Sequence, residues 1–232
     1  TEHGLAVVNQ FDMMGVPLVN SSEPIARSRD KLRSLQLLSR AGIDIPKTVM
    51  VSDPSQIHRA LAIVGGPPAV LKVVKGTQGI GVILAETEQA ALTVLETFWN
   101  LGMNILVQEF IEESEGRDIR ALVVGDRVVT AMRRQAGIGE FRSNVHRGGT
   151  GTVVDLPESY RTAALEATRV MELQLAGVDM LESQIGPKVL EINSSPGFEG
   201  LERWTGVDIA SAIIEYAVGF ARAHRRRKQI EV

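Results

Sequence analysis

Three oxygen-bearing side chains meet in the last β-hairpin that the sequence predicts, VDMLES followed by KVLEIN. Gly186-Pro187 supplies the turn chemistry, which puts Asp179 opposite Glu191 or Asn193, two residues that share one strand face. Two carboxylates about 4 Å apart repel by about 4 kcal/mol at an effective dielectric of about 20, so a cation or a proton is expected there. Without His or Cys, these donors suit Mg²⁺ or Mn²⁺ bound together with phosphate oxygens. The alternative is a half-solvated hairpin face that binds nothing.

A lysine interrupts the apolar strand AVLKVV, and a glycine-rich loop follows it. Lys72 is costly to bury unless it is paired, although its ammonium group could instead reach solvent at the strand's edge. Gly76, Gly79 and Gly81 lie between two predicted strands, which matches neither a Walker A loop nor the Rossmann fingerprint. A glycine flap over phosphates has this strand–loop–strand setting, as do many ordinary hairpins. With a distant oxygen-only metal site, the pattern indicates a nucleoside triphosphate held between two lobes.

Positive charges gather in the second half of the chain, at Arg120, Arg133, Arg134, Arg142 and Arg147. Arg120 and Arg142 have polar neighbours in RDIR and FRSN, and each could bind an anion through two hydrogen bonds. Taken singly, each is better explained as a solvated surface charge. The C-terminal run HRRRK is most simply a solvated helix end that the helix dipole favours.

The composition is that of an ordinary globular protein. The 232 residues are 44% hydrophobic and 23% charged, and a formal net charge of −3 creates no field that favours nucleic acid or an anionic membrane. The chain has no cysteine, which excludes disulfides and thiolate catalysis. No apolar run reaches the ~18–20 residues of a membrane-spanning helix, so we expect a cytoplasmic protein.

Both halves of the chain mix helices and strands. Helices are predicted after Ser28, from Asp53 to Gly65, from Thr87 to about residue 100, from Pro157 to about residue 175, and along the stripe Ile209, Ile213, Tyr216 and Phe220. Strands are predicted at PAVLKVV, GVILAE and NILVQEFI, and hairpins at DIRALVVGDRVVTAMRR and in the metal-site segment. The fold class is therefore α+β in two lobes, with a seam near residues 109–115.

Taken together and in order, the motifs resemble the ATP-grasp superfamily: ARSRDKLRSLQLLSRAGIDIP, LKVVKGTQGIGV, ILVQEFIEE, DIRALVVGD, FRSNVHRGG, AGVDML and VLEINSSPG. The similarity is greatest to the RimK group, ligases that attach glutamates to the C-terminus of a small-subunit ribosomal protein. It covers the chain from about Val19 to Phe220, and the combination of motifs is highly specific. The resemblance implies a carboxylate–amine ligase: ATP lies between two α+β lobes, a substrate carboxylate is phosphorylated, and an amine attacks the acyl phosphate.

The resemblance also implies a role for each matching residue. The phosphates would be contacted by Lys31, Lys72 and the flap residues Gly76, Gln78, Gly79 and Gly81. Adenine would be read by the hinge Glu109, Phe110 and Ile111, and ribose would be bound by Asp118. Nucleotide or phosphate would be contacted by Arg142, Ser143 and Asn144. Two Mg²⁺ or Mn²⁺ ions would be held by Asp179, Glu191 and Asn193.

The catalytic candidates are Arg120, Arg133 and Arg142, of which the first two would grip the acyl phosphate or the incoming glutamate. ATP must activate a carboxylate that has no good leaving group, and metals and cations offset the charge on the transferring phosphoryl group. No protein nucleophile is then needed, which agrees with a chain that lacks cysteine.

Family members normally carry a preceding α/β domain, and here only its last pieces are recognisable, LAVVNQFDMMG as a final helix and VPLVN as a final strand. We therefore divide the chain into a remnant of that domain (1–27), an ATP-grasp N-terminal lobe (28–110) and a C-terminal lobe (111–232). We expect a truncated chain that retains ATP binding better than ligation. The expected partners are L-glutamate and the C-terminus of a ribosomal protein, in a homo-oligomer without membrane or specific nucleic-acid binding.

Three alternatives stay open. The same chemistry could serve another substrate, as in amino-group-carrier modification, glutathione synthesis or dipeptide formation. The chain could also be a nucleotide-binding regulatory module without ligase activity, an interpretation that the intact set Asp179, Glu191 and Asn193 opposes. A kinase-like transferase would carry a similar glycine loop, but the sequence has no HRD or DFG run.

Overall fold

The computed structural model describes residues 2–74, 81–137, 140–141 and 149–230, and this part of the chain forms two antiparallel sheets with helices packed on them. The fold class is α+β, as the sequence predicts. The helices are α1 (Glu2–Met13), α2 (Ser22–Arg29), α3 (Lys31–Arg40), α4 (Ile57–Val64), α5 (Glu88–Asn100), α6 (Glu158–Val170), α7 (Glu199–Thr205) and α8 (Ile209–Ile230). The strands are β1 (Thr48–Val51), β2 (Ala69–Val73), β3 (Val82–Ala85), β4 (Ile105–Glu109), β5 (Arg117–Val124), β6 (Arg127–Gln135), β7 (Thr150–Val153), β8 (Leu175–Ser183) and β9 (Gly186–Asn193).

The first sheet runs in the spatial order β1, β4, β2, β3 within the described residues, and α4 and α5 cover it. Asp53 caps a 3₁₀ turn at Pro54–Gln56, where its carboxylate accepts the Ser55 amide, and this turn leads into α4, which ends at Gly65 with a φ of +102°. Its apolar stripe and that of α5 bury a core with the strands, at Ile57, Leu61, Val64, Leu71, Leu95, Ile105 and Val107. This lobe therefore forms as the helical and strand periodicities predict.

The second sheet runs in the order β7, β6, β5, β8, β9 within the described residues. One face packs against α6 and α3, and its core includes Ile119, Ala121 and Val123 of β5. The other face carries Leu122 and Val124 against α7 and α8. Alternate residues of β5 thus enter two separate cores, as the period of a strand requires.

Helix α3 packs on the second sheet. Leu38 is fully buried in the core that also contains Ile119 and Met180, and the Val189 amide donates to the Asp44 carbonyl at 2.8 Å. The sequence assigns α3 to the N-terminal lobe of residues 28–110. In the structure α3 packs on the sheet of the other lobe. The difference arises because the apolar stripe of α3 meets the second sheet, although α3 precedes the first sheet in the chain.

A β-bulge interrupts each of the two hairpins of the second sheet. Val123 pairs with Val128 but Leu122 pairs with Thr130, so Val129 is an extra residue in β6. Likewise Met180 pairs with Val189 but Asp179 pairs with Glu191, so Leu190 is extra in β9. A bulge shifts every later pair by one residue, which exchanges the two faces for the remainder of the strand.

The expected strand VPLVN does not form. Residues 16–20 lie in the described part of the chain and have no strand structure. Asn20 is buried instead, and its side chain bonds four backbone groups: Nδ2 donates to the carbonyls of Leu175 (2.7 Å) and Ser194 (2.8 Å), while Oδ1 accepts the amides of Gln174 and Leu175. A strand needs a neighbour to pair its amides and carbonyls, and here a side chain docks the segment on β8.

The remaining predicted elements differ from the structure only at their ends. Helix α6 ends at Val170 rather than near residue 175, and β8 begins at Leu175. Helix α3 begins at Lys31, directly after its N-cap residue Asp30. Within the described residues, every helix is too short or too polar to cross a membrane.

Candidate active site

Two lysines from different elements lie within electrostatic range of a carboxylate of the second sheet. Lys72 lies on β2 of the first sheet, and Lys31 opens α3 and donates from Nζ to the Val73 carbonyl at 3.4 Å. Desolvation lowers the pKa of Lys72 from 10.5 to about 8, while the charge of Glu191 raises it and that of Lys31 lowers it. Desolvation also lowers the pKa of Lys31, again against the charge of Glu191. Such coupling requires the three charges to lie close together, so the structure brings these predicted residues into one cluster.

The predicted metal ligands lie on neighbouring strands. Asp179 of β8 and Glu191 of β9 are direct register partners, and Asn193 pairs with Gly177. Glu191 is exposed, Asn193 is half-buried and Asp179 is 5% exposed. The opposition of Asp179 and Glu191 is the first of the two registers that the sequence allows.

Asp179 is held by two arginines. Arg120 donates from Nε to Oδ1 and from Nη2 to Oδ2, each at 2.7 Å, and Arg134 Nη2 lies 2.9 Å from Oδ2. Burial alone would raise the pKa of Asp179, but the two guanidinium charges outweigh burial and lower it from 3.8 to about 2. The carboxylate is therefore ionised at neutral pH, which is the form that a divalent cation requires.

Arg134 continues this network into the sheet. Its Nε donates to Asp118 Oδ1 at 2.6 Å, and its Nη2 bonds Asp118 Oδ2 in addition to Asp179. The side chains of Arg134 and Asp118 are only 4% and 3% exposed. Burial would lower the pKa of Arg134, but the charges of Asp179 and Asp118 raise it well above its usual range. The expected ribose ligand is thus tied through one guanidinium to the expected metal ligand.

The structure places Arg133 apart from the other predicted residues of the second sheet, and its role in gripping the acyl phosphate or glutamate stays a prediction. Arg133 is the register partner of Ile119, on the face of the sheet that packs against α6, and it forms a two-bond pair with Glu182 at 2.6 and 2.9 Å. The bulge at Val129 is the cause: an uninterrupted hairpin would place Arg133 opposite Asp118, and the extra residue puts Arg134 there instead. We call the other face, which carries Asp118, Arg120, Asp179 and Glu191, the site face.

Sequence reasoning assigns no role to Arg134. In the sequence it is one of several positive charges, and the pleat of β6 makes it alternate with Arg133. Only the position of the bulge distinguishes the two arginines, and no residue type at Val129 signals a bulge.

The predicted hinge joins the two sheets. Glu109 ends β4, and its carboxylate Oε2 accepts the Lys47 amide at 3.0 Å and Lys188 Nζ at 3.4 Å. Ile111 is buried and Phe110 is half-buried. A cleft of about 510 Å³ runs along the hinge and is lined by residues 109–113, 183–185 and Lys188. Among the described residues, Lys31, Lys72 and Glu191 do not line this cleft, so it marks the hinge and not the lysine cluster.

Gly81 lies in close contact with Val73, with no room for a side chain. Its φ is +74°, and a Cβ atom there would lie 2.7 Å from Val73 Cγ2, so the strand entry requires glycine. Six further predicted residues lie outside the described part of the chain: Gly76, Gln78, Gly79, Arg142, Ser143 and Asn144.

The site fits a magnesium-bound nucleotide by its donor set. Two carboxylates and one amide form a hard oxygen set, and the charges of two lysines act on one of the carboxylates, Glu191. Within the described ranges no cluster of three or more His, Cys, Asp or Glu occurs. A cation bound by so few protein ligands would need oxygen atoms from phosphate or water, as is usual for Mg²⁺.

Comparison with known proteins agrees with this geometry. A family model for the RimK-like ATP-grasp domain matches residues 28–217. A protein of Vibrio atlanticus (strain LGP32), named probable alpha-L-glutamate ligase, is 56% identical over 227 residues, which are 98% of this chain and 75% of that protein.

Solved structures share the fold at lower identity. The ATP-grasp ligase PsnB complexed with precursor peptide PsnA2 and AMPPNP has a TM-score of 0.75 at 23% identity, over 95% of this chain and 68% of that one. PsnB with minimal precursor, Mg and ADP also has a TM-score of 0.75, at 23% identity over 94% and 67% of the two chains. A RimK domain protein ATP-grasp from Sphaerobacter thermophilus DSM 20745 has a TM-score of 0.73 at 24% identity, over 92% and 76%. The chain therefore belongs to the RimK-like ATP-grasp family and is an ATP-dependent ligase.

Proposed function

We propose that this ligase joins L-glutamate to the C-terminal carboxylate of an acceptor protein. The carboxylate oxygen takes the γ-phosphoryl group of ATP, and ADP leaves. The α-amino nitrogen of glutamate then attacks the acyl carbon, phosphate departs, and the nitrogen loses a proton as the amide forms. The relatives named probable alpha-L-glutamate ligase support glutamate as the amine.

One observation carries the proposal: Lys31 and Lys72 converge with Glu191 at the junction of the two sheets. Burial lowers the pKa of both lysines, and the nearby charge of Lys31 lowers that of Lys72 further. Triphosphate oxygens would compensate both charges, since a desolvated cation gains most from an anionic ligand. A solvated hairpin face would not bring these lysines out of water.

The proposed roles follow from position. Lys31 and Lys72 would bind phosphates, Asp118 would bind the ribose, and adenine would lie against the hinge Glu109, Phe110 and Ile111. Asp179, Glu191 and Asn193 would hold one or two Mg²⁺ or Mn²⁺ ions. Bound metal would neutralise charge on the phosphates during transfer. The glycine flap and the segment Arg142, Ser143 and Asn144 remain predictions of the sequence.

Arg120 would act on the substrate side of the site. Its side chain is 19% exposed, compared with 4% for Arg134, so it can contact both Asp179 and a ligand bound at the site face. A planar guanidinium suits the oxygens of an acyl phosphate or of a glutamate carboxylate. Positioning and electrostatic compensation, without a covalent enzyme intermediate, would then supply the rate acceleration.

We propose a small-subunit ribosomal protein as the acceptor. Support comes from the resemblance to the RimK group and from PsnB, a ligase of the same fold complexed with a precursor peptide. A cytoplasmic location and a homo-oligomer remain predictions of the sequence, and light scattering after size-exclusion chromatography tests the second.

The experiment separates nucleotide binding from ligation. Binding of AMPPNP with Mg²⁺ is measured by calorimetry, and ligation is followed by mass spectrometry of small-subunit ribosomal proteins after incubation with ATP, Mg²⁺ and glutamate. We expect one acceptor to gain glutamyl residues at its C-terminus. Lys72→Met should abolish ligation and weaken AMPPNP binding by at least about 10-fold, because it removes a charge-assisted contact. Arg59→Met, an exposed residue of α4, should change neither.

Each failure has a distinct meaning. AMPPNP binding without glutamylation of any ribosomal protein contradicts the proposed acceptor, and a screen of amino acids and carrier proteins for ATP turnover would then identify the substrate. ATP binding without turnover under any condition favours the regulatory module. The absence of AMPPNP binding contradicts the whole proposal.

A further inference from the structure

Arg134 is the most deeply buried cation among the described ion pairs, and it connects three strands. It lies on β6, bonds Asp118 on β5 through Nε and Nη2, and bonds Asp179 on β8 through the same Nη2. Its side chain is 4% exposed, and its described bonds go to carboxylates of the protein. A buried charge of this kind is either a structural clamp or a device that sets the geometry of its partners.

We infer that Arg134 is a positioning residue that couples ribose recognition by Asp118 to metal binding by Asp179, an inference that rests on the function proposed above. Both carboxylates share one guanidinium edge, so the conformation of either is linked to that of the other. The site would thus be organised in advance for sugar and cation together.

The geometry distinguishes Arg134 from its two arginine neighbours. Arg120 shares Asp179 but lies at the open side of the site, with 19% of its side chain exposed. Arg133 forms an equally good two-bond pair, but with Glu182 on the other face of the sheet and 39% exposed. Only the Arg134 fork joins a proposed ribose ligand to a proposed metal ligand within the described residues. A lysine at position 134 would keep the charge but could not bond two carboxylates through a planar fork.

The test compares Arg134→Met, Arg134→Lys and the matched control Arg133→Met in the full chain. Two quantities are measured by calorimetry: the affinity ratio of ATP to 2′,3′-dideoxy-ATP, and the Mg²⁺ concentration that half-saturates AMPPNP binding. Circular dichroism and thermal unfolding establish that each variant is folded. The affinity ratio reports on Asp118, and the half-saturating Mg²⁺ concentration reports on Asp179. A general loss of stability would not change the affinity ratio.

In the wild type we expect a preference of at least about 10-fold for ATP over the dideoxy nucleotide, the effect of one hydrogen bond to a charged group. Arg134→Met should bring this ratio close to one and raise the half-saturating Mg²⁺ concentration about 10- to 100-fold, the usual effect of losing a residue that orients a metal ligand. Arg134→Lys should restore part of both quantities. Arg133→Met should leave both unchanged.

The contrary outcomes are equally distinct. If folded Arg134→Met or Arg134→Lys keeps the wild-type ratio and Mg²⁺ requirement and only melts earlier, Arg134 is a structural clamp and the inference is wrong. If Arg134→Met does not fold, an unaltered ratio and Mg²⁺ requirement in Arg134→Lys overturns the inference in the same way. If the wild type itself binds no nucleotide, the proposed function fails first, and this inference with it.

Discussion

Arg120 and Asp179 form a two-bond fork, with Nε and Nη2 of the arginine each 2.7 Å from one carboxylate oxygen. The two residues are direct partners in the pairing of β5 with β8, so their backbones set the geometry of the fork. Because Asp179 is also a proposed metal ligand, its charge serves two purposes. It offsets buried guanidinium charge in the protein alone, and it is available in the ionised form to a cation.

Replacing Asp179 by asparagine should lower the free energy of unfolding at pH 7 by about 3 kcal/mol, because two arginines lose a charged partner in a buried setting. The pKa of Asp179 is lowered from 3.8 to about 2, so its contribution is complete above the higher value and is lost as the pH falls through the lower one. Urea unfolding at pH 7 and at successively lower pH should show the difference between wild type and variant narrowing with acidity.

The matched control is Glu182→Gln, which breaks a similar fork with Arg133 on the other face. Both partners are partly exposed, so the cost should be at most about 1 kcal/mol. Equal destabilisation by the two substitutions would show that burial of the Asp179 network contributes nothing.

Nucleotide affinity should depend on the charge of Lys72. Desolvation lowers its pKa to about 8, so a growing fraction of the protein loses this charge as the pH rises from 7 to 9. Phosphate binds the protonated lysine, so AMPPNP affinity should fall through about pH 8, and binding near that pH should take up protons. Calorimetry in two buffers of different ionisation enthalpy measures the uptake. A proton count near zero, with constant affinity up to pH 9, would refute this assignment.

Replacing Lys72 should stabilise the folded protein, although Lys72 is proposed to bind phosphate. Between pH 8 and 10.5 the unfolded chain binds more protons at this position than the folded chain, so its contribution to stability rises with pH across that window and is least favourable below it. Lys72→Met should therefore raise the free energy of unfolding at pH 7, by about 1 kcal/mol after allowance for the partial exposure of the side chain. Chemical denaturation measures it, and a less stable variant would contradict the sign.

Gly177→Ala should disturb the proposed metal site through packing. A Cβ atom at Gly177 would lie 2.8 Å from Pro196 Cβ and 3.9 Å from the Cβ of Asn193, its register partner. We expect a loss of about 1–3 kcal/mol in stability and a higher Mg²⁺ requirement for AMPPNP binding. Gly200→Ala is the control, because its Cβ would meet nothing within 4 Å on α7. Normal Mg²⁺ dependence in Gly177→Ala would exclude a tightly fixed Asn193.

Asn20→Ala should loosen the segment that precedes α2. The substitution leaves two carbonyls and two amides around Leu175 without their side-chain partner in a buried position. We expect the free energy of unfolding to fall by about 2–4 kcal/mol, since each unsatisfied buried group is costly. Urea unfolding measures the loss. The exposed Asn9→Ala on α1 should be neutral, and an equally mild effect of Asn20→Ala would mean that water replaces the lost bonds.

Much of this protein could be predicted from local patterns. Helices α4 and α5 follow from a cap, a stripe of apolar residues and a stop, all of which act within a few residues of one another. The hairpin turn at Gly125-Asp126 also follows from short-range rules. The family follows from motifs whose order is a property of the chain itself.

Position relative to distant elements could not be predicted in the same way. Helix α3 joins the core of the second sheet, and the segment VPLVN docks through Asn20 rather than pairing as a strand. Both outcomes depend on surfaces built by residues more than a hundred positions away. Local propensity carries no information about them.

The sequence by itself determined the residue types of the site, the oxygen donors, lysines and arginines suited to a magnesium nucleotide, because chemistry resides in side chains. Only the tertiary structure decided which of them face one another. The bulges at Val129 and Leu190 each insert a single residue into a ladder of period two, and that shift turns Arg134 and Glu191 to the site face while Arg133 turns to the other. A bulge is stabilised by the packing of whole faces, here Val128 with Ala131 on one side and Val129 with Met132 on the other.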